Sequence, residues 1–239
     1  MSAARDRYLA EIGIPVWRLR WSASADGARG GPPAGAALAA SDSTDSAIAV
    51  PPDADMWSEL KARVSGCTRC GLHTSRTQTV FGVGRRDAQL FVIGEAPGAD
   101  EDRQGEPFVG RAGQLLNQML RAIGLTRSDV YIANILKCRP PGNRDPQPDE
   151  ATSCTPYLSQ QIALVQPRVL LAVGRIAAQW LLQTDTPIGR LRGRAVSYGD
   201  GKTPLVVTYH PAYLLRSPLD KAKAWTDLCL VKELLSRSP

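Results

Sequence analysis

Five carboxylates and one aromatic ring crowd the stretch GEAPGADEDRQGEPFVGRAG, Gly94 to Gly113: Glu95, Asp100, Glu101, Asp102, Glu106 and Phe108. The acids would repel a phosphate, and no Lys-Ser or Lys-Thr pair completes a P-loop, so a nucleotide cradle is a poor fit. Acids beside a ring, on a loop rich in Gly and Pro, suit a site that handles a base or a sugar. Phe108 then either plugs the loop from beneath or stacks on something flat.

The cysteines form a second chemical group. Cys67 and Cys70 make a CxxC behind a helix, Cys138 follows a strand, and Cys154 opens the next helix. One close pair and two singles, each at a loop or helix end, favour a tetrathiolate site over a redox pair or buried thiols. Four thiolates suit zinc and an iron–sulfur cluster equally. Cys229 lies among Leu228, Leu230 and Val231 and is expected in the core. Between Cys138 and Cys154 runs RPPGNRDPQP, a loop that such a site would hold at both ends. Its arginines, Arg139 and Arg144, suit contact with a phosphate backbone.

These groups need a frame. The apolar run Leu90 to Ile93 reads as a strand, and Leu115, Leu116, Met119, Leu120 and Ile123 have the spacing of a helix over 112–123. Further strands are expected over 130–135, 169–173 and 205–208, with helices over 149–164, 175–182 and 221–235. An earlier helix carries Trp57, Leu60 and Val64 and stops at Ser65-Gly66. Near-continuous apolar strands alternating with helices predict a parallel sheet covered on both faces. Glu95, Asn134, Gly174 and His210 then all follow or end strands, so one rim of the sheet can gather them around one pocket.

The whole chain sets the outer bounds. Its 239 residues can bury a full core, and a net charge of +6 gives weak support for a polyanionic partner. No run approaches the roughly 18 apolar residues of a membrane span. Early charges at Arg5, Asp6 and Arg7 leave no hydrophobic signal core, so a cytoplasmic protein with reduced cysteines is expected. Residues 1–55 read as an extension: Tyr8 to Trp21 could dock a partner or pack on the body, and Ser22 to Asp55 is a flexible linker too poor in apolar side chains to order. The folded domain spans 56–239.

Taken together, GEAPG, EDRQGEPFVGRAGQLLN, NILKCRPPGNRDP and HPAYLLR, with the four cysteines, resemble the family 4 uracil-DNA glycosylases, the iron–sulfur type. The likeness covers about Trp57 to Leu235. It implies a three-layer α/β/α sandwich on a central four-stranded parallel sheet and removal of uracil from DNA, without a catalytic metal, in base excision repair; a monomer is expected. It also implies a structural [4Fe–4S] cluster on Cys67, Cys70, Cys138 and Cys154. The catalytic residues it implies are Glu95 and His210. The likeness places substrate contacts on Glu101, Phe108 and Asn134; Ala96 is a further expected substrate contact, and DNA contacts are expected on Arg139, Arg144 and Arg216.

Each implied role makes physical sense. An extruded base needs stacking and edge hydrogen bonds. The Asn134 amide can donate to uracil O4 while accepting from N3–H, whereas cytosine offers an NH2 and a bare N3. A donor from His210 would meet charge growing on uracil O2 as the N-glycosidic bond breaks. The family 1 enzymes carry Asp and Tyr where this chain has Ala96 and Gly98, so their water activation and thymine barrier do not transfer. Glu101 is the candidate to crowd the uracil C5 position instead. No histidine lies between His73 and His210, so stable linkage to an abasic product is not expected. A non-catalytic DNA-binding module and an iron–sulfur electron carrier are the competing readings.

Overall fold

The computed structural model describes residues 52–199 and 203–237. The Tyr8–Trp21 segment and the expected linker up to residue 51 lie outside the described residues; the last four residues of that linker, Pro52 to Asp55, instead form the first turn of a helix. Helix α1 (Pro52–Ser65) leads through a 3-10 turn to strands β1 (Val83–Gly84) and β2 (Leu90–Gly94). Helices α2 (Ala99–Gln104) and α3 (Arg111–Ala122) precede β3 (Tyr131–Asn134), and α4 (Pro148–Val165) precedes β4 (Val169–Val173). Helices α5 (Arg175–Leu182) and α6 (Ile188–Leu191) lead to β5 (Ala195–Tyr198) and β6 (Thr203–Thr208). Helices α7 (Pro211–Arg216) and α8 (Lys221–Ser236) close the domain.

The strands form one mixed sheet in the order β1-β3-β2-β4-β6-β5. The four inner strands are parallel, as expected. The sheet itself has six strands rather than four, because β1 and β5 pair antiparallel on its two edges. Neither carries the apolar alternation that marks a strand in sequence. At Gly84, φ is 125° and a Cβ would fall 1.9 Å from the Val130 carbonyl oxygen, so glycine lets the basic turn close onto β3.

Alternate strand residues supply two cores. Phe91, Ile93, Tyr131, Ala133, Leu170 and Ala172 face α1, α4 and α5. Val92, Ile132, Leu171, Val173 and Val206 face α3, α7 and α8. Burial on both faces is why these strands are apolar without a break, and it yields the expected α/β/α layering. Cys229 departs from expectation: it is exposed. Its neighbours Leu228 and Val231 take the buried stripe of α8, which leaves Cys229 on the outer side of the helix. Among the described residues no helix is long and apolar enough to cross a membrane.

Candidate active site

Strand β2 pairs with β3 on one side and β4 on the other, so the direction of chain crossing reverses there and a crevice opens beyond the carboxyl ends. Gly94 ends β2, Asn134 ends β3, and the two segments leaving the sheet stay bound to each other. The Ile135 N–H donates to the Gly94 carbonyl at 3.0 Å, and the Leu136 N–H to that of Glu95 at 3.0 Å. On the far side, the Gly174 N–H donates to the Thr208 carbonyl at 2.8 Å, which brings the end of β4 against the approach to His210.

Phe108 arrives from the loop between α2 and α3. It is 6% exposed and sits at φ 55°, a left-handed backbone that disfavours a bulky residue. Two charged side chains hold that conformation. The Glu101 carboxylate accepts from the N–H groups of Gly98 at 3.1 Å, Val109 at 2.9 Å and Gly110 at 3.1 Å. Arg127 pairs with Glu106 at 2.9 Å, and its guanidinium also donates to the carbonyls of Phe108, at 3.4 Å, and Pro107. A Cβ on Gly113 would lie 1.7 Å from the Phe108 carbonyl oxygen, so only glycine lets α3 begin this close. Buried Asp102 fastens the other end of the loop by accepting from the Thr77 N–H at 2.9 Å.

Three side chains meet at the strand ends. A Cβ placed on Gly94 would lie 2.4 Å from Asn134 Oδ1 and 2.6 Å from Phe108 Cζ, so amide and ring share the space that glycine leaves. The Phe108 and His210 rings lie 5.7 Å apart, tilted by 32°. Asn134 is 2% exposed, and its Oδ1 is buried without a hydrogen-bond partner. Such an acceptor costs roughly 1–3 kcal/mol unless something donates to it. Glu95 and Ala96, next along from Gly94, are half-buried.

His210 caps α7, its Nδ1 accepting from the Ala212 N–H at 3.2 Å. An accepting Nδ1 leaves the proton of the neutral ring on Nε2. Burial lowers the pKa to about 4, and the charge of Arg216 acts in the same direction, so the imidazole is neutral at physiological pH. Glu95 goes the other way. Burial and the nearby Asp145 raise its pKa to about 7, opposed by Arg175. Asp145 and Arg175 form an ion pair at 2.8 Å between the proline-rich loop and the start of α5.

The three arginines of the expected DNA face differ in freedom. Arg216 is exposed at the end of α7. Arg139 donates to Asn143 Oδ1 at 2.8 Å, within its own loop. Arg144 is engaged with buried Glu150 at 2.5 Å, which anchors the loop onto α4. Large clefts elsewhere, such as one of about 740 Å³ lined by Arg85, Arg121 and Arg127, do not include Phe108, Asn134 or His210.

Residues 81–229 match the family model of the uracil DNA glycosylase superfamily. A type-4 uracil-DNA glycosylase of Archaeoglobus fulgidus is 42% identical over 185 residues, covering 75% of this chain and 93% of that protein. The chain belongs to this superfamily, in its type-4 group. A second type-4 enzyme, from Thermotoga maritima, is 44% identical over 66% of this chain and 82% of its own. A third, from Sulfurisphaera tokodaii, is 38% identical over 75% and 85%.

In this type-4 family member the four cysteines line one small cavity of about 10 Å³, together with Arg69, Arg76, Lys137 and Tyr157. No carboxylate or imidazole lines it. Cys138 Sγ accepts from Arg76 Nη1 at 3.0 Å, and Cys154 Sγ from the Lys137 N–H at 3.2 Å. Burial raises the Cys154 thiol to about 11 and Cys138 in the same direction, so a metal would have to displace their protons. Among the described residues no three His, Cys, Asp or Glu side chains converge on one ion. Four thiols lining one cavity are a donor set that suits zinc and an iron–sulfur cluster alike.

Sequence reading missed several of these groups. Arg127, Asp145 and Arg175 act through contacts between separate segments, where no periodicity marks a partner. Lys137 carried a signal: a lone cation between Leu136 and Cys138, in an apolar stretch that leaves a strand.

Proposed function

We propose that this chain excises uracil from DNA by hydrolysing the N-glycosidic bond of an extruded deoxyuridine, the first step of base excision repair. The observation that carries the reading is the unpartnered, buried Asn134 Oδ1 beside the Phe108 ring. A flat base with an N–H on its edge satisfies both: the ring takes its face and the amide oxygen takes N3–H, while Nδ2 donates to O4. A non-catalytic DNA-binding module would have no use for that orphaned acceptor.

His210 supplies the transition-state term. With Nδ1 occupied by the Ala212 N–H, its Nε2–H is the donor left for uracil O2. Charge on O2 grows as the base leaves as an anion, so this bond is stronger in the transition state than in the ground state. A neutral donor gives up no proton and meets no titration in the working range. Glu95, as a carboxylate, orients the attacking water or opposes the cationic sugar. Ala96 lies beside it at the base, and Glu101 fixes the loop that presents Phe108. Arg139, Arg144 and Arg216 are assigned to the DNA backbone.

Cys67, Cys70, Cys138 and Cys154 are assigned as ligands of a [4Fe–4S] cluster. The four-thiol cavity supports the assignment, and the cluster would cross-link α1, the proline-rich loop and α4 as a structural centre. The deciding experiment incubates the protein with a single-uracil oligonucleotide. Free uracil and an alkali-labile site are expected, and no product at stoichiometric enzyme overturns the proposal.

A further inference from the structure

We propose that Lys137 is a positioning residue that fixes Asn134 for base recognition and ties that residue to the cysteine site. Lys137 is 1% exposed, and its Nζ donates to the Asn134 carbonyl oxygen at 2.8 Å and to Gln161 Oε1 at 2.6 Å. Gln161 is itself fully buried and anchored, its Nε2 donating to the Phe81 carbonyl at 2.9 Å and to the Tyr131 hydroxyl at 3.3 Å. The ammonium therefore grips the backbone of Asn134 from a rigid support. Asn134 ends β3, and the peptide plane that follows it is held from two sides, by Lys137 Nζ on the Asn134 carbonyl and by the Ile135 N–H donating to the Gly94 carbonyl at 3.0 Å.

The other half of the link is electrostatic. A buried ammonium without an anion is costly, and no carboxylate pairs with Lys137 among the described ion pairs. Its backbone N–H donates instead to Cys154 Sγ, and the side chain helps line the four-thiol cavity. Once deprotonated by cluster binding, these sulfurs would supply negative charge beside the ammonium. One residue thus joins the two centres, through its main chain and charge toward the sulfurs and through its hydrogen bonds toward the amide. Loss of a group that positions a base-contacting residue is expected to slow uracil release by about 10–100-fold.

The inference rests on the proposed uracil excision, and a double-mutant cycle separates the two. Wild type, Lys137→Met, Asn134→Ala and the double variant are purified with their iron. Each is assayed for single-turnover uracil release, iron per chain and the rate of iron loss to a chelator. Lys137→Met is expected to release uracil about 10–100-fold more slowly, yet to have almost no further effect in the Asn134→Ala background. It is also expected to lose iron to chelator several-fold faster. Lys137→Gln, which keeps a donor but no charge, should recover part of the release rate while losing iron like Lys137→Met. Equal effects of Lys137→Met in both backgrounds would mean a general packing role and overturn the inference, as would a wild-type release rate in Lys137→Met. Wild type that releases no uracil refutes the underlying function instead.

Discussion

The rings of Phe108 and His210 lie 5.7 Å apart at a tilt of 32°, although one leaves the loop after β2 and the other caps the helix after β6. This pairing puts a stacking face and a hydrogen-bond donor at one point of the crevice. Phe108→Leu keeps most of the buried volume but removes the flat face. Base–aromatic stacking is worth about 1–3 kcal/mol, so kcat/KM for a uracil oligonucleotide should fall about tenfold or more. Thermal unfolding should move little, and a midpoint many degrees lower would mean that the ring is mainly a plug.

Gly94→Ala tests the convergence directly. Its Cβ would sit 2.4 Å from Asn134 Oδ1 and 2.6 Å from Phe108 Cζ, so one of them must give way. Gly94 has no left-handed backbone to protect, and the fold should survive. Uracil release should drop by about two orders of magnitude, because a small misplacement of the contacting groups is enough for that. A fully active alanine variant would mean that amide and ring are not used together.

His210→Asn retains a good helix cap and discards the Nε2–H donor. Loss of one preorganised donor of this kind costs about 10²–10³ in kcat, with unfolding temperature and DNA affinity close to wild type. With the wild-type imidazole titrating only near pH 4, its contribution should be flat from about pH 5 upward. A rate limb at pH 6–7 that disappears in His210→Asn would contradict the neutral ring.

Glu95 is where pH dependence belongs. Its pKa is raised to about 7, chiefly by burial, so the carboxylate form grows in as pH rises through that value. Uracil release should rise with pH through about 7, and Glu95→Gln should be slow and lack that limb. Stability runs the other way. The folded state holds the proton more tightly than the unfolded chain, so this contribution is complete below about pH 4.5 and is lost as pH climbs through about 7. At pH 8, allowing for partial solvent screening, Glu95→Gln should be more stable than wild type by on the order of 1–2 kcal/mol, measured by denaturant melts. No gain at pH 8 would mean that the carboxylate is not strained by its surroundings.

The legible parts of the site were those written into short local patterns. Strands such as LFVIG and VLLAV declared themselves because both faces are buried, and the residues after them had to fall on one rim. The edge strands stayed hidden, since β1 is two residues long and closes through Gly84 rather than through an apolar pattern. Cys229 was misjudged because apolar neighbours in sequence do not say which face of a helix looks outward.

From the order of residue types alone come the parallel core, the rim that carries Glu95, Asn134 and His210, and the four thiols that belong to one site. Sequence could set these because strand burial, crossover direction and ligand chemistry are local or follow from topology. Only the folded chain decided that Asn134 Oδ1 has no partner, that Glu101 and Arg127 hold Phe108 in a left-handed backbone, and that Lys137 is buried against Asn134 and Gln161. Those are contacts between distant segments, and the protonation of Glu95 and His210 follows from burial that no single stretch encodes.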